Sequence, residues 1–126
     1  EVKVYKYSIT DVSKITGISP STIRFYEEKE LLFPIIRKSS DVRNFIEDDI
    51  ERLAFITELK KAGLSIKEIH ECFYFCDMGD DTIDERINLY QQHKINISYK
   101  MKELEHCIEH IDEKTAYLNR KKSIKK

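Results

Sequence analysis

Long apolar runs are missing from this chain, and so is any marked excess of one charge. No segment approaches the ~20 consecutive apolar residues that a membrane-spanning helix requires, and 36% of the residues are charged. The reading is a soluble protein with no membrane span and no signal peptide. Net charge is −1 at pH 7, so any affinity for nucleic acid must come from placed contacts and not from bulk charge. Three cysteines form no disulfide framework, which fits a reducing cytoplasm. No Gly-rich phosphate loop, nucleophile elbow or zinc-hydrolase helix is recognised, so no enzymatic activity, cofactor or metal is expected. The first residue is Glu1, not methionine, and the termini are expected to be trimmed. A length of 126 residues suits one small domain, or one small domain with an extended helix.

What is present is concentrated first in residues 8–28. Ile9, Val12 and Ile15 recur at helical spacing before Gly17-Ile18 turns the chain. Ser19 then suits an N-cap, and Pro20 suits the first helical position, where its missing N–H costs nothing. The second helix carries Ser21, Thr22, Arg24 and Tyr26 in its first two turns. Hydroxyls, a guanidinium and a phenol so placed are what a recognition helix offers to base edges and phosphates. An ordinary helical hairpin with a polar surface has the same bare pattern.

The residues around this hairpin make the pattern specific. Ser8-Ile9, Thr16-Gly17-Ile18-Ser19, Thr22-Ile23-Arg24-Phe25-Tyr26-Glu27, Leu31-Leu32, Pro34 and Val42-Arg43-Asn44-Phe45 follow in order, then Ile50-Glu51-Arg52-Leu53 and Gly63-Leu64-Ser65-Ile66-Lys67-Glu68-Ile69. Together they resemble the MerR family of bacterial transcription regulators over roughly the first 75 residues. The wing over residues 37–45 is most similar to that of the subgroup associated with aldehyde and redox stress. The resemblance implies a winged helix-turn-helix head at residues 5–76. It further implies DNA contacts from Ser21, Thr22, Arg24, Phe25 and Tyr26 on the helix, and from Arg37, Lys38 and Arg43 on the wing. Three departures stand out: Phe25 where many relatives have tyrosine, Glu30 where glycine is frequent, and Asp41-Val42 where Gly-Tyr or Gly-Ile is usual.

Beyond the wing, Glu47-Asp48-Asp49 opens a helix whose acidic first turn suits the positive end of the helix dipole. Ile50, Leu53, Ile56, Leu59 and Lys60 define its faces to Ala62, and Gly63 ends it. Ser65 and Glu68 make a capping box for a further helix through Ile66, Ile69 and Phe73 to about Cys76. Residues 77–81 read as a hinge. From Thr82 onward there is neither Gly nor Pro, and Thr82 with Glu85 suggests another capping box. Ile83, Ile87, Tyr90, Lys94, Ile97, Met101, Leu104, Ile108 and Ile111 then alternate steps of four and three, an a/d heptad over about four repeats. Such a helix, about 45 Å over its apolar part at 1.5 Å per residue, would leave a continuous apolar seam in water unless partnered. The expectation is a mainly α protein. Its C-terminal helix, residues 82–118, is expected to form the interface of a homodimer, antiparallel as the resemblance implies, before a frayed basic tail at 119–126. Lys94 is the polar break that would set register.

The resemblance places promoter DNA with a palindromic site as partner, RNA polymerase acting indirectly through that DNA, and regulation by distortion of the promoter spacer. Related aldehyde sensors carry a cysteine where this chain has Glu58, so that thiol switch is absent. Cys72 and Cys76 share a helical face at i, i+4, which suits either buried packing or a thiol or soft-metal effector site. Cys107 lies beside His106 and three residues before His110, so a thiolate and an imidazole can share a face. The alternative reading is a metal- or thiol-responsive helical adaptor with residual DNA binding.

Overall fold

The computed structural model describes residues 4–32 and 44–125. Helix α1 spans Ile9–Thr16, α2 Pro20–Glu28, α3 Glu47–Lys61 and α4 Ile66–Asp77; a 3-10 turn at Asp80–Thr82 leads into α5, Ile83–Ile124. Contacts divide the chain after Arg86 into two compact units.

Local chemistry sets the helix boundaries in the first unit. Ser8 Oγ accepts the Asp11 N–H at 3.1 Å while the Asp11 carboxylate accepts the Ser8 N–H at 3.0 Å, a reciprocal cap that satisfies two orphan donors. Gly17 closes α1 at φ 75°, in the left-handed region where a Cβ is penalised. Ser19 Oγ accepts the Thr22 N–H, and Pro20 occupies the first turn of α2. Asp49 reaches back from α3 to accept the Ile46 N–H at 3.0 Å. Ser65 and Glu68 cap α4 in the same reciprocal way as Ser8 and Asp11.

One core gathers these elements. Val12, Ile23, Leu31, Leu53, Ile56 and Ile69 are fully buried, with Tyr26, Phe45, Leu59, Leu64 and Phe73 in the same cluster. Each such aliphatic side chain contributes about 1.5–3 kcal/mol relative to exposure. Just ahead of α1, Tyr7 and Phe45 form an antiparallel bridge, each N–H donating to the other's carbonyl at 3.1 and 3.0 Å. Of the three apolar residues at helical spacing in α1, Val12 is fully buried and Ile15 is 55% exposed.

The junction at residues 77–81 is more structured than a free hinge. Thr82, assigned by the sequence to capping α5, is buried and its hydroxyl donates to the carbonyls of Phe75 and Gly79. That ties the 3-10 turn to the end of α4. Helix α5 runs for 42 residues, about 63 Å at 1.5 Å per residue. It continues to Ile124, so most of the basic segment expected to fray is helical. Among the described residues, no helix is long and apolar enough to cross a membrane.

Candidate nucleic-acid interface

Helix α2 has two unlike faces. Ile23 and Tyr26 enter the core, while Ser21, Arg24, Phe25 and Glu28 are exposed at i, i+3, i+4 and i+7, the spacing of one helical stripe. Arg24 therefore presents a permanent charge with five donors, Ser21 presents a hydroxyl, and Phe25, 42% exposed, adds apolar area beside them. Ser21 Oγ lies 3.1 Å from Ser19 Oγ, and Ser19 Oγ donates to Thr22 Oγ1 at 2.9 Å. The hydroxyls at the start of α2 thus form a small network, with Thr22 half-buried within it.

Tyr26, expected at the DNA, packs inward. Its ring is 9% exposed and belongs to the core cluster, tilted against Phe25 with centroids 6.0 Å apart. Its ring supports the exposed stripe from within the core. Sequence reasoning also missed Lys29, whose ammonium sits over the Phe25 ring at 5.6 Å, a cation–π arrangement that brings a second positive charge to the exposed side of the helix. A Lys four residues after an aromatic is the signal that was available. Arg37, Lys38 and Arg43 lie outside the described residues. The anchor of that segment is visible at Phe45, paired with Tyr7, whose hydroxyl donates to Glu47 Oε2 at 2.6 Å. Glu47 as acceptor is the main reason the Tyr7 phenol ionises above its usual range.

The dimer residues named from the heptad are mostly open. Ile83, Ile87, Tyr90, Met101, Leu104, Ile108 and Ile111 are all exposed, Leu104 at 63%; Lys94 is exposed and Ile97 half-buried. The seam is therefore uncovered over most of its length in a single chain.

The three cysteines occupy three environments. Cys72 is 1% exposed, and burial, reinforced by the neighbouring Glu71 charge, pushes its thiol up to about 11. Cys76 is half-buried and accepts from Arg86 Nη2 at 3.8 Å, while Cys107 is exposed. Sharing a helical face does not give Cys72 and Cys76 a shared chemistry. Among the described residues, no group of three or more His, Cys, Asp or Glu side chains converges to hold a metal ion.

A half-buried ion pair straps α3 to the end of α4. Arg52 Nη2 donates to Asp77 Oδ1 at 2.6 Å and Nη1 to Oδ2 at 3.2 Å. The guanidinium lies 4.3 Å above the Phe73 ring.

Comparison with known proteins gives a consistent result. The family described as "MerR HTH family regulatory protein" matches residues 7–74, and that described as "MerR, DNA binding" matches residues 50–114. An uncharacterized helix-turn-helix transcriptional regulator of Haemophilus influenzae is 30% identical over 118 residues, covering 94% of this chain and 87% of its own length. The crystal structure of HiNmlR, a MerR family regulator lacking the sensor domain, bound to promoter DNA, is similar with a TM-score of 0.78 and 30% identity, covering 93% of each chain. A MerR family transcriptional regulator from Bacillus thuringiensis is similar at a TM-score of 0.73 and 29% identity, covering 87% of this chain and 96% of that one.

Proposed function

This chain belongs to the MerR family of helix-turn-helix regulatory proteins, and from that membership we propose that two copies of it bind one palindromic promoter site and regulate transcription there. The observation that carries the proposal is the division of α2. Core residues Ile23 and Tyr26 hold the helix, and Ser21, Arg24 and Phe25 stand exposed on its other side. A helix so presented fits a major groove, with its early residues meeting base edges and phosphates. The promoter-bound relative, similar over 93% of both chains, supports the same use here.

Pairing follows from the open seam of α5. Covering Leu104, Ile108 and Ile111 with the same helix of a second copy removes apolar surface from water and doubles the DNA contacts. In an antiparallel pair the length of α5 would set the separation of two heads, and hence the half-site spacing. Wing residues Arg37, Lys38 and Arg43 would take flanking phosphates. Holding both heads on an over-long promoter spacer bends and twists it, so that RNA polymerase is affected through the DNA. Residence in the cytoplasm, beside the nucleoid, suits that role.

Genome-wide mapping of bound DNA, followed by gel-shift competition between a recovered palindromic fragment and random duplex, tests the reading. A preference on the order of 10³-fold or more at physiological salt is expected. Equal affinity for both DNAs would favour the helical adaptor with residual DNA binding.

A further inference from the structure

The stretch His106-Cys107-Ile108-Glu109-His110 lies within α5, and the transcriptional reading makes no use of it. His106 and His110 are four residues apart, so one turn of helix carries both imidazoles on one face. Two histidines at this spacing are how zinc-binding helices present a pair of ligands. The segment also has the H-x-x-E-H order of one class of such helices, which the sequence reading passed over.

The structure adds a second observation. His106 Nδ1 lies 3.3 Å from Glu109 Oε2. Glu109 thus faces Nδ1, and Nε2 lies on the other side of the ring. A carboxylate holding the far nitrogen of a histidine is the arrangement that fixes tautomer and ring orientation in metal sites. Both groups are open to solvent, with side chains 87% and 71% exposed. The heptad assigns Leu104, Ile108 and Ile111 to the seam, and His106 and His110 fall on the opposite side of the helix. Pairing two copies through the seam leaves this face free.

We propose that His106 and His110 bind one divalent transition-metal ion of the zinc, nickel or copper class through their Nε2 atoms, with Glu109 as the residue that positions His106. Imidazole nitrogen favours these ions over magnesium and calcium, which take oxygen ligands. No third side chain among the described residues converges on the pair, so water fills the remaining positions. His106 and His110 stand exposed on the helix, and the site is one of binding, not hydrolysis. A chelate across one turn favours helical α5 over the unfolded segment, so metal raises stability by mass action.

Titration calorimetry on the tag-free chain, with zinc chloride and then nickel chloride, tests this. One ion per chain is expected, with affinity falling at least tenfold in His106→Gln and in His110→Gln. Glu109→Gln should weaken binding by roughly tenfold, the lower end for loss of an orienting partner. It should also abolish the preference for the Nδ1–H tautomer in the ¹⁵N spectrum of His106, which a merely structural role would not touch. A Cys72→Ser, Cys76→Ser, Cys107→Ser variant should bind as the wild type does. Unchanged affinity in the double histidine variant, or loss of binding in the triple cysteine variant, would overturn the assignment.

Discussion

Glu30 and Gly63 occupy the same place at the ends of α2 and α3, both with positive φ, 60° and 90°. Leu31 N–H donates to the Tyr26 carbonyl and Glu30 N–H to that of Glu27; Leu64 and Gly63 repeat the pattern with Leu59 and Lys60. Both are the paired closing bonds of a left-handed helix terminus, and in both a buried leucine follows. Glycine meets the requirement at one end, and a glutamate carries it under strain at the other.

Replacing Glu30 with glycine should therefore stabilise the head. Relief of a left-handed non-glycine residue returns about 1–2 kcal/mol, and the greater freedom of glycine in the unfolded chain takes back about 0.4–1. The 3.6 Å contact of Glu30 with His70 is largely exposed and worth little. Urea denaturation should show a higher midpoint at unchanged slope, a net gain of about 0.5–1 kcal/mol. Gly63→Ala should move the midpoint the other way.

Arg52 and Asp77 offer a second test. Arg52 is 7% exposed, and its guanidinium is held both by the Asp77 carboxylate and by the Phe73 face. Arg52→Ala should cost about 2 kcal/mol, because a bidentate charged pair and the packing of its stem are lost together. Arg52→Lys should recover only part, since an ammonium cannot form the two-pronged contact. Asp77 is half exposed, so Asp77→Asn should cost less than Arg52→Ala. Thermal unfolding of the three variants gives the order directly.

Local chemistry was legible and packing was not. Ser19, Ser65, Gly17 and Gly63 announce helix ends because each acts on neighbours three or four residues away. Ile9, Val12 and Ile15 mislead because two steps of three residues rotate the third position by about 120° from the first, which carries Ile15 off the inner face. Phe25 and Tyr26 are adjacent aromatics on a nine-residue helix, and only the surrounding core decides which one is buried. The Arg52–Asp77 strap and the Tyr7–Phe45 bridge join residues 25 and 38 apart; no periodicity reports such pairs. The heptad of α5 was readable because a repeated seam is a property of one helix alone.

The division of α2 yields paired expectations for DNA binding. Arg24→Ala should weaken binding to the palindromic site by about 1–3 kcal/mol and leave circular dichroism and melting temperature unchanged, because Arg24 is exposed. Tyr26→Ala should do the reverse, lowering stability by about 3 kcal/mol through loss of a core ring. Fluorescence anisotropy beside thermal melts separates the two. Unchanged affinity in Arg24→Ala would remove it from the interface.

The cysteines should react in the order of their exposure. Cys107 is expected to label first with a thiol reagent at pH 8, Cys76 more slowly, and Cys72 only on unfolding. Only thiolate reacts, and burial holds the Cys72 thiol near 11. The unfolded chain ionises this thiol at the lower, ordinary value, so the folded state binds the proton more tightly. Its contribution to stability is complete below about pH 8.5 and is lost as pH rises through the folded value. Diamide at neutral pH should consequently leave promoter binding nearly unchanged, and so should conversion of all three cysteines to serine.

The seam of α5 is the remaining test of assembly. Met101 and Leu104 occupy successive seam positions and are both more than half exposed in a single chain, so substituting them cannot damage a core that they do not enter. Replacing both with glutamate should leave the head folded, with its capping network and Arg52–Asp77 strap intact. In a dimer that pairs α5 with α5, however, the change places four carboxylates in an apolar interface without partners. Unpaired charge there costs several kcal/mol, enough to drive micromolar protein to monomer. Light scattering should report half the wild-type mass, and affinity for the palindrome should fall to that of a single head. A double variant that stayed dimeric would place the interface elsewhere on the chain.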